Sequence, residues 1–591
     1  MRIFSRNSED RSPTGWALLA LLALILVFGG WLGFNALKAK SGLEQARQSA
    51  QEVKEALLAG KSEDATRFAD SAVSQAQSAR SATQSLPWNV AAAVPVLGAP
   101  FKTGQQISDV VVGLAADVLQ PAAKEGIGLS PDQLYENGRV NVQLLRSQEP
   151  ALVKMAADAE RLNEQAAAIA TAGFLPPINN ARTQLQNQTS EVASLLRNTA
   201  LAAKIGPSMM GADGPRAYLM AFQTNAEARG TGGLLGGTGI LRFDNGKPTV
   251  DSLISNAELY DATASIDLGP EFNDVYGSSK PYTDIRNSNQ SSHFPYAAQI
   301  WKSMWERQGG GKIDGVIGLD PIALSYILGA VGDVTTPDGQ VVTQNNVIEL
   351  TESTAYIKFP EDSPARKRYL QEIANAVVKK MTAPVKSPGK LLDALGKAVA
   401  ERRISVWSAF PDEQKVLEQT SLGHAIPEDA APFAEVVINN FGGNKMDYYL
   451  ERQIEYAADG CEGNVRNSTI TVRLTNTASD VNTLPEYVAG DPGLPSDLPF
   501  KVPPGTMVSS VRLVATKGAE LMGLTANGER AAAVSKVELG HPTFEVQVVI
   551  PPGQSGELVF RLTEPTSKGE ARVPVQPLVD NISPVVSVPT C

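Results

Sequence analysis

The sequence predicts a multidomain protein of mixed class: a transmembrane helix, an all-α membrane-proximal region, an α/β domain and a C-terminal β-sandwich. Three observations carry this expectation. A charge-free apolar run opens the chain at Trp16–Phe34, an Ala- and Gln-rich stretch with helical spacing follows, and near residue 447 the apolar pattern changes to period two. At 591 residues the chain exceeds what a single core supports, and roughly two to four domains are expected. A composition 43% hydrophobic and 19% charged is ordinary for folded domains. The net charge of −11 lacks the basic surface of a nucleic-acid binder, so no nucleic-acid partner is expected.

The run WALLALLALILVFGGWLGF (16–34) is long enough, at ~1.5 Å per residue, to span a ~30 Å hydrocarbon layer. Trp16, Trp31 and Phe34 sit at its ends, where amphipathic rings favour the interface. It lacks the short apolar core and small-residue cleavage site of a signal peptide, which marks an uncleaved anchor. Arg2, Arg6 and Arg11 before it nearly balance Lys38, Lys40 and Arg47 after it. Residues 1–15 are then a cytoplasmic tail, and the bulk lies outside a cytoplasmic membrane crossed once. Cys461 and Cys591 are the cysteines of the chain. Two free thiols remain open as a reading. The expected alternative is a disulfide pinning the C-terminus, which needs an oxidising compartment.

Residues 41–205 read as helical, with Leu43, Ala46, Ala50, Val53 and Leu57 on one face and Gly60 turning the chain into an antiparallel return. Further helices are expected at 102–123, 140–170 and 179–204. Residues 206–446 alternate strands and helices, as an α/β or α+β domain does. Ala217–Gln223 is a strand, and Asp244-Asn245-Gly246 joins two more as a hairpin. Asp320-Pro321 starts a helix expected to stop at Gly329, and the next helices cover 347–356, 365–381 and 391–401. From 447 to 591, alternating segments separated by Pro-Pro-Gly turns read as a β-sandwich.

Three histidines, far apart, exclude a zinc site or a His-based triad as the expected chemistry. The strongest local signal is Asn225-Ala226-Glu227-Ala228-Arg229 leading into a glycine-rich stretch. Glycines there, Gly232 and Gly233 among them, would let backbone amides approach an anion, and Arg229 adds a fork suited to phosphate. Glu227 could hold a metal or orient that arginine, and a structural Arg–Glu pair at a tight turn stands equally open. Arg366-Lys367-Arg368 opens a helix against its macrodipole, which an anionic ligand or Glu361 and Asp362 would offset. A polar loop, Asp284 through Asn289, contributes Asp284 and Arg286.

The segments YLMAFQTNAEARGTGGLLGGTGILRFDNGK (218–247), DIRNSNQSSHFPYAAQIW (284–301) and IDGVIGLDPIALSYILGAVGDV (313–334) resemble a bacterial domain-of-unknown-function family, number 4012, found in membrane-anchored envelope proteins of Gram-positive bacteria. The same segments are similar, more faintly, to the LytR-CpsA-Psr phosphotransferases, which implies a LytR-CpsA-Psr-like α/β domain. That likeness departs in three ways: no Arg-Ser-Asp-Thr follows the first strand, Lys358 stands where an arginine would be, and Phe359-Pro360 interrupts the rest.

The second resemblance implies work on a polyprenyl-pyrophosphate-linked glycan during envelope polymer assembly, with polyprenyl-phosphate glycan or peptidoglycan as partner. If the chain is an enzyme, the implied reaction is Mg²⁺-dependent glycan-phosphate transfer. Arg229, Arg286, Arg366, Arg368, Gly232 and Gly233 would then bind phosphate, with Glu227 or Asp284 as metal ligand. The competing class is a non-catalytic envelope scaffold or adhesion protein. Convergence of the arginines with an acid beside an apolar pocket would favour the first.

Overall fold

Alanine spacing decides the first part of the chain. Ala46, Ala56, Ala65, Ala69, Ala72 and Ala76 are buried between helices, and such small side chains let two helix backbones approach closely. In the computed structural model the helices Pro13–Leu58 and Ser62–Thr83 pair as a hairpin around Gly60, whose φ of 69° suits the reversal. A Cβ on Gly42 would lie 2.9 Å from the Gln75 carbonyl oxygen, so glycine is needed where the helices touch. The segment Ala99–Lys124 passes through a π-helical turn at Leu114–Leu119, and the helices Val142–Ala167 and Pro176–Met209 follow. The structure describes residues 13–95, 97–125, 131–173, 175–251, 253–490 and 502–591, without the side chains of 13–26 and 131–132.

The expected membrane span is corrected here. Among the described residues no helix is long and apolar enough to cross a membrane. From Val27, the first residue of this helix with a described side chain, the apolar stretch gives way after Phe34 to Asn35, Lys38, Lys40 and Glu44. Any membrane-length window starting there therefore takes in several charges. The rest of the expected span, residues 16–26, lies outside the described side chains, and most of the expected cytoplasmic tail lies outside the described residues. The single-pass anchor, the membrane partner and the extracytoplasmic location drawn from it are withdrawn, and the Gram-positive envelope setting, which came from the family resemblance, has no support beside it. The fold class is corrected with them, to mixed helices and several sheets without a described membrane-crossing helix.

By contact, the chain divides into Met1–Leu134 with Asn141–Pro207, and Tyr135–Val140 with Ser208–Cys591. The second unit is built on a six-stranded mixed sheet. Arg216–Arg229 is central, parallel to Gly315–Leu319 and antiparallel to Gly232–Asp244. Ile404–Ser408 closes one edge and Lys247–Val250 the other, with Ile254–Ser255 also paired to Gly232–Asp244. Asn245 and Gly246, at φ of 46° and 78°, make the hairpin turn that Asp-Asn-Gly favours.

Alternation sorts the central strand. Ala217, Leu219 and Ala221 pack under the helix Phe294–Arg307, with Phe294, Trp301 and Met304. Met220 faces the helices Pro321–Val331, Ser363–Met381 and Pro388–Ala400 through Leu324, Ile327, Ile373 and Leu391. The Pro321 helix runs past Gly329 and stops at Gly332, whose φ of 87° is the left-handed position that ends it.

Two further sheets follow. Ala434–Asn440, Met507–Ala515, His541–Ile550 and Val534–Glu538 form one, and six strands including Leu450–Ala458, Val465–Asn476 and Ser555–Pro565 form the other. Ala434–Asn440, which precedes the boundary expected at 446/447, pairs along its length with Met507–Ala515. Ala226, Ala228 and Tyr356 belong to the same apolar cluster as Val472, Val511, Phe544 and Phe560. One continuous core therefore joins the strand–helix part to the later sheets.

The C-terminal segment is strapped across this unit. Arg452 binds Asp580 and the Gln576 carbonyl, Arg403 binds the Leu578 carbonyl, and Val585–Ser587 pairs with Leu450–Ala458. Cys461 and Cys591 are joined by a disulfide over a separation of 130 residues. In the chain-entropy treatment a loop of that length contributes about 4–5 kcal/mol by restricting the unfolded chain. The Cys461→Ser/Cys591→Ser variant is expected to lose up to that much in urea unfolding at unchanged fold, read by circular dichroism.

Candidate functional site

Bulges between Phe222 and Gln223 and between Thr224 and Ala228 break the regular ladder at the end of the central strand. There Glu227 and Arg229 turn to the same side, buried at 6% and 5% exposure. Glu227 Oε1 accepts from Arg229 Nη2 at 2.9 Å, and its Oε2 accepts from Lys445 Nζ. Arg229 also donates to the carbonyls of Arg286, Ala228 and Asn440 at 2.9, 2.9 and 3.1 Å. Burial pushes the Glu227 carboxyl upward, but Lys445 and Arg229 outweigh it and hold it below the usual range. Burial likewise works against the Lys445 charge, and Glu227 overcomes it, so this ammonium stays protonated.

The glycines serve packing. A Cβ on Gly233 would sit 2.0 Å from the Thr224 carbonyl oxygen, and one on Gly232 3.0 Å from that of Pro577. The amides of this stretch are occupied as well. Ala226 N–H donates to Glu352 at 2.6 Å, Ala228 N–H to Asp447 at 2.8 Å and Gly230 N–H to Asn439 Oδ1 at 3.0 Å. The segment is thus a close-packed hairpin whose donors are used by the protein itself.

The other expected residues scatter in role. Asp284 caps its own turn and takes Arg286 Nε at 2.9 Å and Nη2 at 2.8 Å. That hydrogen-bonded arginine holds the Asp284 carboxyl low. Arg366 is buried, donates to the Phe359 and Pro360 carbonyls, and lies 3.9 Å over the Tyr487 ring. Arg368 is exposed on the same helix.

The side chains that converge include several that the sequence did not single out. Tyr487 stacks on Tyr356 at 5.9 Å, and Lys445 lies 5.4 Å over Tyr487. Lys367 lies 4.9 Å over Tyr260, with Arg286 at 6.0 Å from the same ring. Tyr260 and Tyr487 are 44% and 42% exposed, so the cleft opens to solvent between aromatic rings. Arg229, Arg286, Arg366, Lys367 and Lys445 face Glu227, Asp284, Glu258 and Asp447, so the cations outnumber the carboxylates by five to four. The polar run Asn439–Asp447, beginning inside a strand otherwise rich in valine and isoleucine, was the available signal for Lys445 and Asp447.

Beside the cleft lies a pocket of about 100 Å³, walled by Phe222, Leu253, Ile254, Leu324, Leu370 and Ala374. Lys367, Tyr356 and Glu352 also line it. Glu352 sits in a π-helical turn, Leu350–Thr354, a feature frequent at functional sites. Its Oε2 accepts from the Thr224 hydroxyl at 2.9 Å and from Ala226 N–H. Its Oε1 is buried without a hydrogen bond. Burial lifts this carboxyl to about 7 against the Ala226 and Thr224 hydrogen bonds, and lifts Asp447 to about 6.

Mg²⁺ does not fit the acids expected to hold it. Both Glu227 oxygens face cations and both Asp284 oxygens face Arg286. A divalent ion there would have to displace those partners against like charge. Among the described residues no group of three His, Cys, Asp or Glu side chains is placed to hold a metal.

Residues 213–356 match the family model described as "Protein of unknown function (DUF4012)". No curated protein and no solved structure matches the chain.

Two outcomes are expected of this site. Lys445→Met should destabilise by about 3–5 kcal/mol, because Glu227 is left buried with an incomplete set of partners. Chemical denaturation reads this loss, and adding Glu227→Gln should recover much of it. The second concerns pH. Glu352 has its folded pKa raised from 4.5 to about 7, so its contribution is complete below 4.5 and lost as pH rises to about 7. The difference in melting temperature between Glu352→Gln and the parent should therefore grow in favour of the variant across that window. A flat difference contradicts the assignment.

Proposed function

We propose that this chain, whose residues 213–356 belong to the DUF4012 family, binds a phosphate-headed amphiphile. The supporting observation is the position of Lys367, which lines the apolar pocket and at the same time faces Tyr260 in the cationic cleft. An apolar segment in the pocket would place an attached anion beside Lys367. At a share of about 30 Å³ per water, about 100 Å³ holds roughly three waters, so the pocket takes the first carbons of a chain and leaves the rest outside. A polyprenyl-phosphate-linked glycan is one member of this class. Binding rather than transfer is favoured, because Arg229 and Glu227 are committed to each other and to neighbouring partners.

Calorimetry with decyl phosphate and farnesyl phosphate tests this reading, with inorganic phosphate as control. The parent should bind both amphiphiles and bind phosphate far more weakly. Lys367→Ala should weaken amphiphile binding by about 1.5–3 kcal/mol, the range of a hydrogen bond to a charged group, at an unchanged melting temperature. No binding of either amphiphile would leave the scaffold reading in its place.

A further inference from the structure

The buried side chains of the first unit fall into separate small clusters instead of one core. Leu114 sits at the edge of two of them and is itself only half-buried. It lies in a groove of about 490 Å³ contained within this unit. Val111 and Leu119, also half-buried, complete the apolar floor. Residues four and five apart stack in a π-helical turn, so Leu114 and Ala115 share a face with Val118 and Leu119.

The two edges of the groove are polar and periodic. Arg47, Gln51 and Lys54 line it from the helix Pro13–Leu58, and Gln184, Gln188 and Glu191 from the helix Pro176–Met209. All six are exposed. Each set is spaced i, i+4, i+7, so it follows one face of its helix for about two turns. Lys40 pairs with Glu44, whereas among the described residues Arg47 and Lys54 have no carboxylate partner.

We infer that this groove takes an amphipathic helix of a partner protein, with its apolar face on Leu114 and an acidic flank against Arg47 and Lys54. The volume alone admits an acyl chain or the side chains of a docked helix. The edges separate them. An acyl chain is apolar on every side and gains nothing from six polar side chains along its length. A helix brings a polar residue to each flank once per turn and meets both rows. The chain carries a net charge of −11, so its overall field repels an acidic partner, and any preference for one arises from the Arg47–Lys54 edge.

The test uses stapled helical peptides of about four turns, leucine on one face and either glutamate or lysine on both flanks, by fluorescence anisotropy with the full chain. The glutamate peptide is expected to bind at least about five-fold tighter than the lysine peptide. Arg47→Glu/Lys54→Glu should reverse that order, and Leu114→Gln should weaken both peptides at least about five-fold. Where Leu114→Gln fails to melt cooperatively, the charge-reversed variant decides, since both of its changes are exposed. Equal affinities, an order that survives charge reversal, or no binding of either peptide would overturn the inference. Binding of myristate without either peptide would assign the groove to an acyl chain. Self-association of the parent that Leu114→Gln abolishes would assign it to a second copy, and either result also overturns the inference.

Discussion

A single buried carboxylate, Glu227, held between Arg229 and Lys445, governs how the second unit is assembled. Isolated in an apolar interior, that charge would cost several kcal/mol. With both oxygens paired it instead fixes the end of the central strand against the segment 439–447. The same constraint explains the neighbouring acids. Asp447 receives Ala228 N–H and Asn440 Nδ2, and Glu352 receives Ala226 N–H. Successive odd and even positions of one bulged strand end are thus gripped from two directions. The bulges supply the amides, and the acids use them.

This network also accounts for the glycines. Gly233 and Gly230 could not carry a Cβ, because Thr224 on one side and Gln290 and Ser291 on the other press against their backbones. A glycine run after a strand is ambiguous in sequence, since the same residues serve an anion cradle and a tight crossing of chains. What separates the two is whether the amides remain available. Here the acceptors Glu352, Asp447 and Asn439 come from positions more than a hundred residues downstream. No local pattern around residue 230 could reveal them.

Legibility followed range. The Asn245-Gly246 hairpin, the Asp320 cap with Pro321, and the alternating strands after residue 465 are local chemistry, and the sequence displays them directly. The helix end at Gly332 instead of Gly329 was not legible, because Gly329 stays helical with Gln344 lying where its Cβ would be, a neighbour the local sequence does not show. The membrane span was the largest error. It rested on the apolar run, the aromatic rings at its ends and the missing cleavage site, and what the described side chains add after Phe34 is charge, at Lys38, Lys40 and Glu44. Of the site, Arg229 and Glu227 were visible as a pair on one strand face. Lys445, Tyr260 and Tyr487 were not, since each reaches the cleft from a separate element and none carries a motif.

The division of labour within the cleft follows from burial. Arg229 spends its donors on protein carbonyls and Glu227, so its charge is structural and acts on a ligand only at a distance. Lys367 stands nearer solvent, facing an exposed tyrosine ring, and keeps charge where an incoming anion can meet it, whereas Arg286 is held by Asp284. A surface cation alone contributes little, because water screens it. Set beside an apolar pocket it does more, since an amphiphile that buries its first carbons there also removes water from its own head. The apolar wall and the cation then reinforce each other, which neither the glycine run nor the buried arginine could achieve.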